Sequence, residues 1–136
     1  RKDWASLMLK LVQDGGKSYS AVYRRQDDDH EERYKSGALS YIDLSSLMNR
    51  FVDLIELSPW HNFWIYNADA DIQVELDEHN LIFVYGRLHE CSSLLLRYGF
   101  REDRIEVPFP HLHRPVEELD EQESLMIQAI RNSCDR

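Results

Sequence analysis

Trp4, Leu7, Met8, Leu11 and Val12 recur at intervals of three and four residues, and this spacing predicts an amphipathic helix at the start of the chain. Asp3 is placed to cap it, and Gly15-Gly16 end it with residues that tolerate positive φ. "KSYSAVYRR" (17–25) then reads as a strand, rich in tyrosine and β-formers. The polar stretch "QDDDHEERYKSG" (26–37) reads as an exposed, mobile acidic loop or long hairpin connection, with "ALSY" as a short return strand.

From about Asp43 to Leu57 the period returns to helical. Leu44, Leu47, Met48, Phe51, Leu54 and Ile55 form the buried stripe, and Pro59 helps to stop it. Three strand candidates follow in quick succession, "NFWIYN", "DIQVELD" and "NLIFVYG". Their short, polar connections favour an antiparallel meander, because parallel neighbours require a long crossover. "HECSSLLLRYGF" (89–100) predicts a third helix closed by Gly99, "RIEVPF" a short edge strand, "PHLHRP" an extended segment, and about Val116 to Asn132 a final helix. The expected fold is α+β: one globular domain over residues 1–136, with a mainly antiparallel sheet of four to five strands packed against about four helices.

The segment "NADADIQVELDEHN" (67–80) sharpens the picture. Ala70, Ile72, Val74 and Leu76 alternate with Asp69, Asp71, Gln73, Glu75 and Asp77, the pattern of a half-buried strand. Same-face side chains of a strand stand roughly 6.5–7 Å apart. Asp69, Asp71, Glu75 and Asp77 would then form a line of carboxylates on the open face, although acids are depleted in strands. The plain reading is the wet face of a sheet, and the sharper one is a surface complementary to a Lys/Arg-rich protein. Along "FWIY", Phe63 and Ile65 point one way and Trp64 and Tyr66 the other. If the first pair is core, Trp64 and Tyr66 stand beside the carboxylates as anchors for a cationic partner.

Composition narrows the function classes. Sixteen Lys and Arg face 25 Asp and Glu, a formal charge of -9, which disfavours direct contact with nucleic acid or an anionic membrane and favours basic partners. No apolar run approaches the ~20 residues of a membrane span. No secretory leader is visible, and the chain opens on Arg1, so a preceding segment is an open question. Cys91 and Cys134 sit in no metal or redox spacing and read as reduced thiols of a cytoplasmic protein.

Catalytic signatures are sparse. There is no Gly-rich phosphate loop, no G-x-S-x-G, no H-E-x-x-H and no C-x-x-C. His111 and His113 share a face if "PHLHRP" is extended and are the weak metal candidates, with His61, His79 or a carboxylate as a third ligand. The sequence therefore points to a non-enzymatic binding protein without a cofactor. Its most concrete form, by analogy with small acidic inhibitors, is a bacterial immunity or antitoxin protein that masks the active site of a basic toxin such as a nuclease. The alternatives are a metal-assisted hydrolase using His111 and His113, and a structural or adaptor subunit. The expected partner-binding residues are Asp69, Asp71, Glu75, Asp77, Trp64 and Tyr66.

Overall fold

The computed structural model describes residues 4–13, 18–27, 30–57, 61–77, 81–101 and 120–134. The elements run α1 (Trp4–Val12), β1 (Tyr19–Asp27), β2 (His30–Lys35), α2 (Tyr41–Arg50), α3 (Val52–Leu57), β3 (His61–Asn67), β4 (Ile72–Leu76), β5 (Ile82–Tyr85), α4 (Leu88–Arg97) and α5 (Asp120–Ser133). The strands form one sheet in the order β2-β1-β3-β4-β5, with every neighbouring pair antiparallel. The fold is α+β, and β3-β4-β5 is the meander that the short connections predict.

Period two decides which side of the sheet is core. Tyr19, Ala21 and Tyr23 of β1, Phe63 and Ile65 of β3, and Ile72, Val74 and Leu76 of β4 all turn to one face and are buried. Each such large apolar side chain contributes ~1.5–3 kcal/mol relative to leaving it in water. The helices pack here: the rings of Tyr19 and Tyr41 of α2 meet edge-on at 5.7 Å, and the Tyr23 hydroxyl donates to Glu123 of α5. Burial, then that bond, push the Tyr23 pKa far up, so the hydroxyl stays a donor. Glu123 also pairs with Arg25 at 2.9 Å.

Helix α1 buries more than its stripe. Ala5 and Leu9 are buried beside Met8, Leu11 and Val12, while Trp4 and Leu7 are half-buried, because the helix lies against β3, β4, α2 and α3 together. The long second helix is two. Ser40 begins it earlier than expected, its Oγ accepting from Asp43 N at 3.1 Å, and Phe51 (φ -113°, ψ 25°) leaves helical geometry between α2 and α3. Helix α4 starts one residue early and ends at Arg97, where Gly99 (φ 89°) lets Phe100 N reach Leu95 O at 3.0 Å.

One stretch departs from the sequence reading. Residues 30–35 of the expected acidic loop are β2, registered on β1 from Val22↔Lys35 to Asp27↔His30. The return strand is thus "HEERYK" and not "ALSY", of which Leu39 makes only an isolated bridge with Tyr19. Backbone pairing needs no apolar side chains. Tyr34 is the strand's one phenol ring, 6.4 Å from Tyr23 and under the Arg131 guanidinium at 5.3 Å. The predicted Asp3 cap, Gly15-Gly16 stop, "RIEVPF" strand, "PHLHRP" segment and first residues of the last helix lie outside the described residues.

Two buried polar side chains matter later. Asn67 is fully buried; its Nδ2 donates to Val12 O at 2.9 Å, and its Oδ1 accepts from Asp69 N at 3.1 Å and Ala70 N at 3.2 Å. His61, 3% exposed, stacks on Tyr23 with centroids 5.0 Å apart. The nearby Ile55 backbone favours a proton on the ring, whereas Nδ1 is buried without a partner. Burial lowers its pKa from 6.5 to about 4.

Candidate docking face

The other side of the sheet is different. Among the described residues no helix covers it, and the side chains standing there are half-buried or exposed, apart from the buried Asn62. The register arranges them in rows across the strands: Ser20, Tyr66, Gln73 and Tyr85 in one; Lys35, Val22, Trp64, Glu75 and Phe83 in the next; Arg33, Arg24 and Asn62 in the third. Cross-strand partners in such rows have Cβ atoms roughly 4.5–5.5 Å apart.

Of the six residues expected to bind a partner, three meet at the centre of this face. Trp64 and Tyr66 stand on β3 with Phe63 and Ile65 buried behind them, and Glu75 is the register partner of Trp64 on β4. Glu75 Oε1 accepts from Asn62 Nδ2 at 2.7 Å, and no cation pairs with this half-buried carboxylate among the described residues.

The straight line of acids does not form. Asp69 and Asp71 belong to the turn between β3 and β4, not to the strand, and Asp71 has φ 54°. Alternation of Ala and Asp simply runs on through a turn whose geometry Asn67 sets. Asp69 Oδ2 accepts from Ser18 N at 3.1 Å, serving the turn. Asp71 is drawn back to the face by the Tyr66 hydroxyl, which donates to its Oδ1 at 2.8 Å; that bond pushes the Tyr66 pKa up. Asp77 closes the far end of β4: Oδ1 accepts from Leu81 N at 2.9 Å, and its own N–H donates to Leu81 O at 3.0 Å.

Phe83 and Tyr85 are the residues the sequence reading missed. They are 41% and 52% exposed, which leaves two large rings of β5 facing solvent beside Glu75 and Gln73. The run "LIFVY" is apolar throughout, so nothing in it marks one side as open. The basic side of the face was also unexpected. Arg24 and Arg33 are direct register partners, with Lys35 nearby, and the Arg33 guanidinium lies over the Trp64 ring at 5.6 Å while its Nε donates to Glu31 at 2.6 Å. Like charges directly opposite each other are unfavourable, and Glu31 and the indole offset part of that.

No group of three or more His, Cys, Asp or Glu among the described residues is arranged to hold a metal. His111, His113 and His79 lie outside those residues, and His61 faces the core. No helix among the described residues is long and apolar enough to cross a membrane.

Compared with known proteins, the chain matches no family model, no curated protein and no solved structure.

Proposed function

We propose that this chain is a non-catalytic binding protein that docks a basic protein partner on the open face of its sheet. The observation that carries the reading is the group of Trp64, Tyr66, Phe83 and Tyr85 around Glu75 on a face that no described helix covers. Clustered aromatic rings at a surface are the composition of an interface hot spot, and a carboxylate among them supplies the complementary charge for a basic partner. A net charge of -9 adds long-range attraction for a positive partner. The concrete form is an immunity or antitoxin-type inhibitor that covers the active site of a basic toxin, a nuclease being the leading case. The docking centre is then the Trp64, Tyr66 and Glu75 cluster, with Asp71 at its rim, and Asp69 and Asp77 hold the turns that frame it.

The test is capture of the tagged chain's partner from host lysate at low and high salt, followed by assay of that partner with and without the chain. A basic protein retained stoichiometrically at low salt, and silenced at one equivalent, supports the reading. A partner whose retention and activity ignore Phe83→Ser and Tyr85→Ser refutes the face.

A further inference from the structure

We infer that β3, β4 and β5 form a slot for one cationic side chain, a lysine or arginine of the partner, with Glu75 as its counter-charge; this rests on the docking function proposed above. The walls are Trp64 and Tyr66 on β3 and Phe83 and Tyr85 on β5, and the floor is Gln73 and Glu75 on β4 between them. Two inter-strand spacings, about 10 Å from backbone to backbone, separate the two rows of rings, and Gln73 and Glu75 rise between them, so a guest reaches the Glu75 carboxylate from above with rings on either side.

Three observations select a cation. Glu75 is half-buried, is fixed through Oε1 by Asn62, and has no ion-pair partner among the described residues, so Oε2 is left for an incoming donor. A carboxylate partly removed from water without a counter-charge carries an uncompensated desolvation cost that a cation relieves. The second carboxylate, Asp71, is tied to the rim by Tyr66 and adds negative potential at the slot's mouth. The Trp64 ring already takes a guanidinium from its own chain, Arg33, which shows that this indole stacks with a cation. A carboxylate-bearing guest would instead meet Glu75 directly. A purely apolar one would bury it unpaired.

The probes are tetra-arginine amide and tetra-glutamate amide, titrated into isotopically labelled protein and followed by amide and indole NMR shifts. Tetra-arginine is expected to move the Trp64 indole, the Gln73 side-chain amide and the Phe83 and Tyr85 backbone amides, and tetra-glutamate to move none of them. Glu75→Gln, which keeps an oxygen for Asn62, should weaken the tetra-arginine response at least tenfold; Tyr85→Ser should also weaken it. Shifts confined to other acidic segments, or a response that Glu75→Gln leaves unchanged, overturn the slot. In that event inhibition of a captured partner that still depends on Phe83 would leave the docking function standing, so the two failures are distinguishable.

Discussion

Replacement of His61 by phenylalanine should flatten the acid sensitivity of the fold. The imidazole is buried on the core face of β3, stacked on Tyr23, and its Nδ1 meets no hydrogen-bond partner. Arg25 is its register partner on β1, and the neighbouring Tyr23 is a neutral hydroxyl committed to Glu123, so no carboxylate is bonded to the ring to favour a proton. Burial accordingly lowers the pKa from 6.5 to about 4. In the unfolded chain the ring takes its proton near the ordinary value, so between those two pH values the unfolded state binds more protons and stability is lost as the pH falls. The stability due to a neutral His61 is whole above 6.5, declines through the interval, and is flat again below about 4. At about 1.4 kcal/mol per pH unit, the interval amounts to about 3 kcal/mol, of which about three quarters is gone by pH 4.5. Urea unfolding at half-unit steps from pH 7.5 to 4.0 measures it on both proteins. Phenylalanine keeps a planar ring against Tyr23 but cannot titrate, so its stability should fall by about 2–3 kcal/mol less over that range. Carboxylates such as Glu31 and Glu32, whose pKa values are lowered by Arg33 and by Tyr34 with His30 respectively, titrate in both proteins and cancel in the difference. Parallel curves for the two proteins would refute the argument and assign the acid loss to the carboxylates.

Other substitutions probe the turns, the core network and the open face separately. Gly86→Ala should destabilise by ~2 kcal/mol or more in denaturant melts, since the residue has φ 85° and an added Cβ would lie 2.2 Å from Asp71 O. Asn67→Ala removes the partners of three backbone groups and should lower stability by ~2–4 kcal/mol; a loss under ~1 kcal/mol would mean that the turn holds itself. Tyr23→Phe should cost ~1–2 kcal/mol by leaving the half-buried Glu123 with Arg25 alone. Phe83→Ser, by contrast, should leave stability within ~0.5 kcal/mol while weakening partner binding at least tenfold by calorimetry. Equal losses in fold and binding would show that Phe83 belongs to the core.

Much of this arrangement can be read from residue order, for identifiable reasons. The meander is legible because Phe63, Ile65, Ile72, Val74 and Leu76 keep strict alternation and their connections are short. The pairing of β1 with β3 is not, because it joins residues separated by a hairpin and two helices. Strand β2 was hidden by charge. Its residues carry almost no apolar signal, and its pairing depends on β1. At the candidate site, the positions of Trp64, Tyr66 and Glu75 follow from period two. The displacement of Asp69 and Asp71 does not, since Ala-Asp alternation fits a turn as well as a strand, and only the bonds of Asn67 distinguish them. Phe83 and Tyr85 were masked by apolar neighbours on both sides, because a pattern that is apolar at every position cannot say which face the helices leave open.

The Asn67 bond to Val12 O has a kinetic consequence. It spans 55 residues, and α1 packs chiefly on β4 and β3, both made much later in synthesis. A chain emerging from the ribosome therefore carries Met8, Leu9, Leu11 and Val12 without their sheet until residues near 76 have appeared. Short isolated helices are marginal in water. For that interval α1 is an apolar stretch with only α2 and α3 to pack against, the window in which chaperones or like chains compete for it. Once the β3-β4 turn closes, the buried Asn67 amide fastens the end of α1 to a strand made some fifty residues later, and that exposure ends.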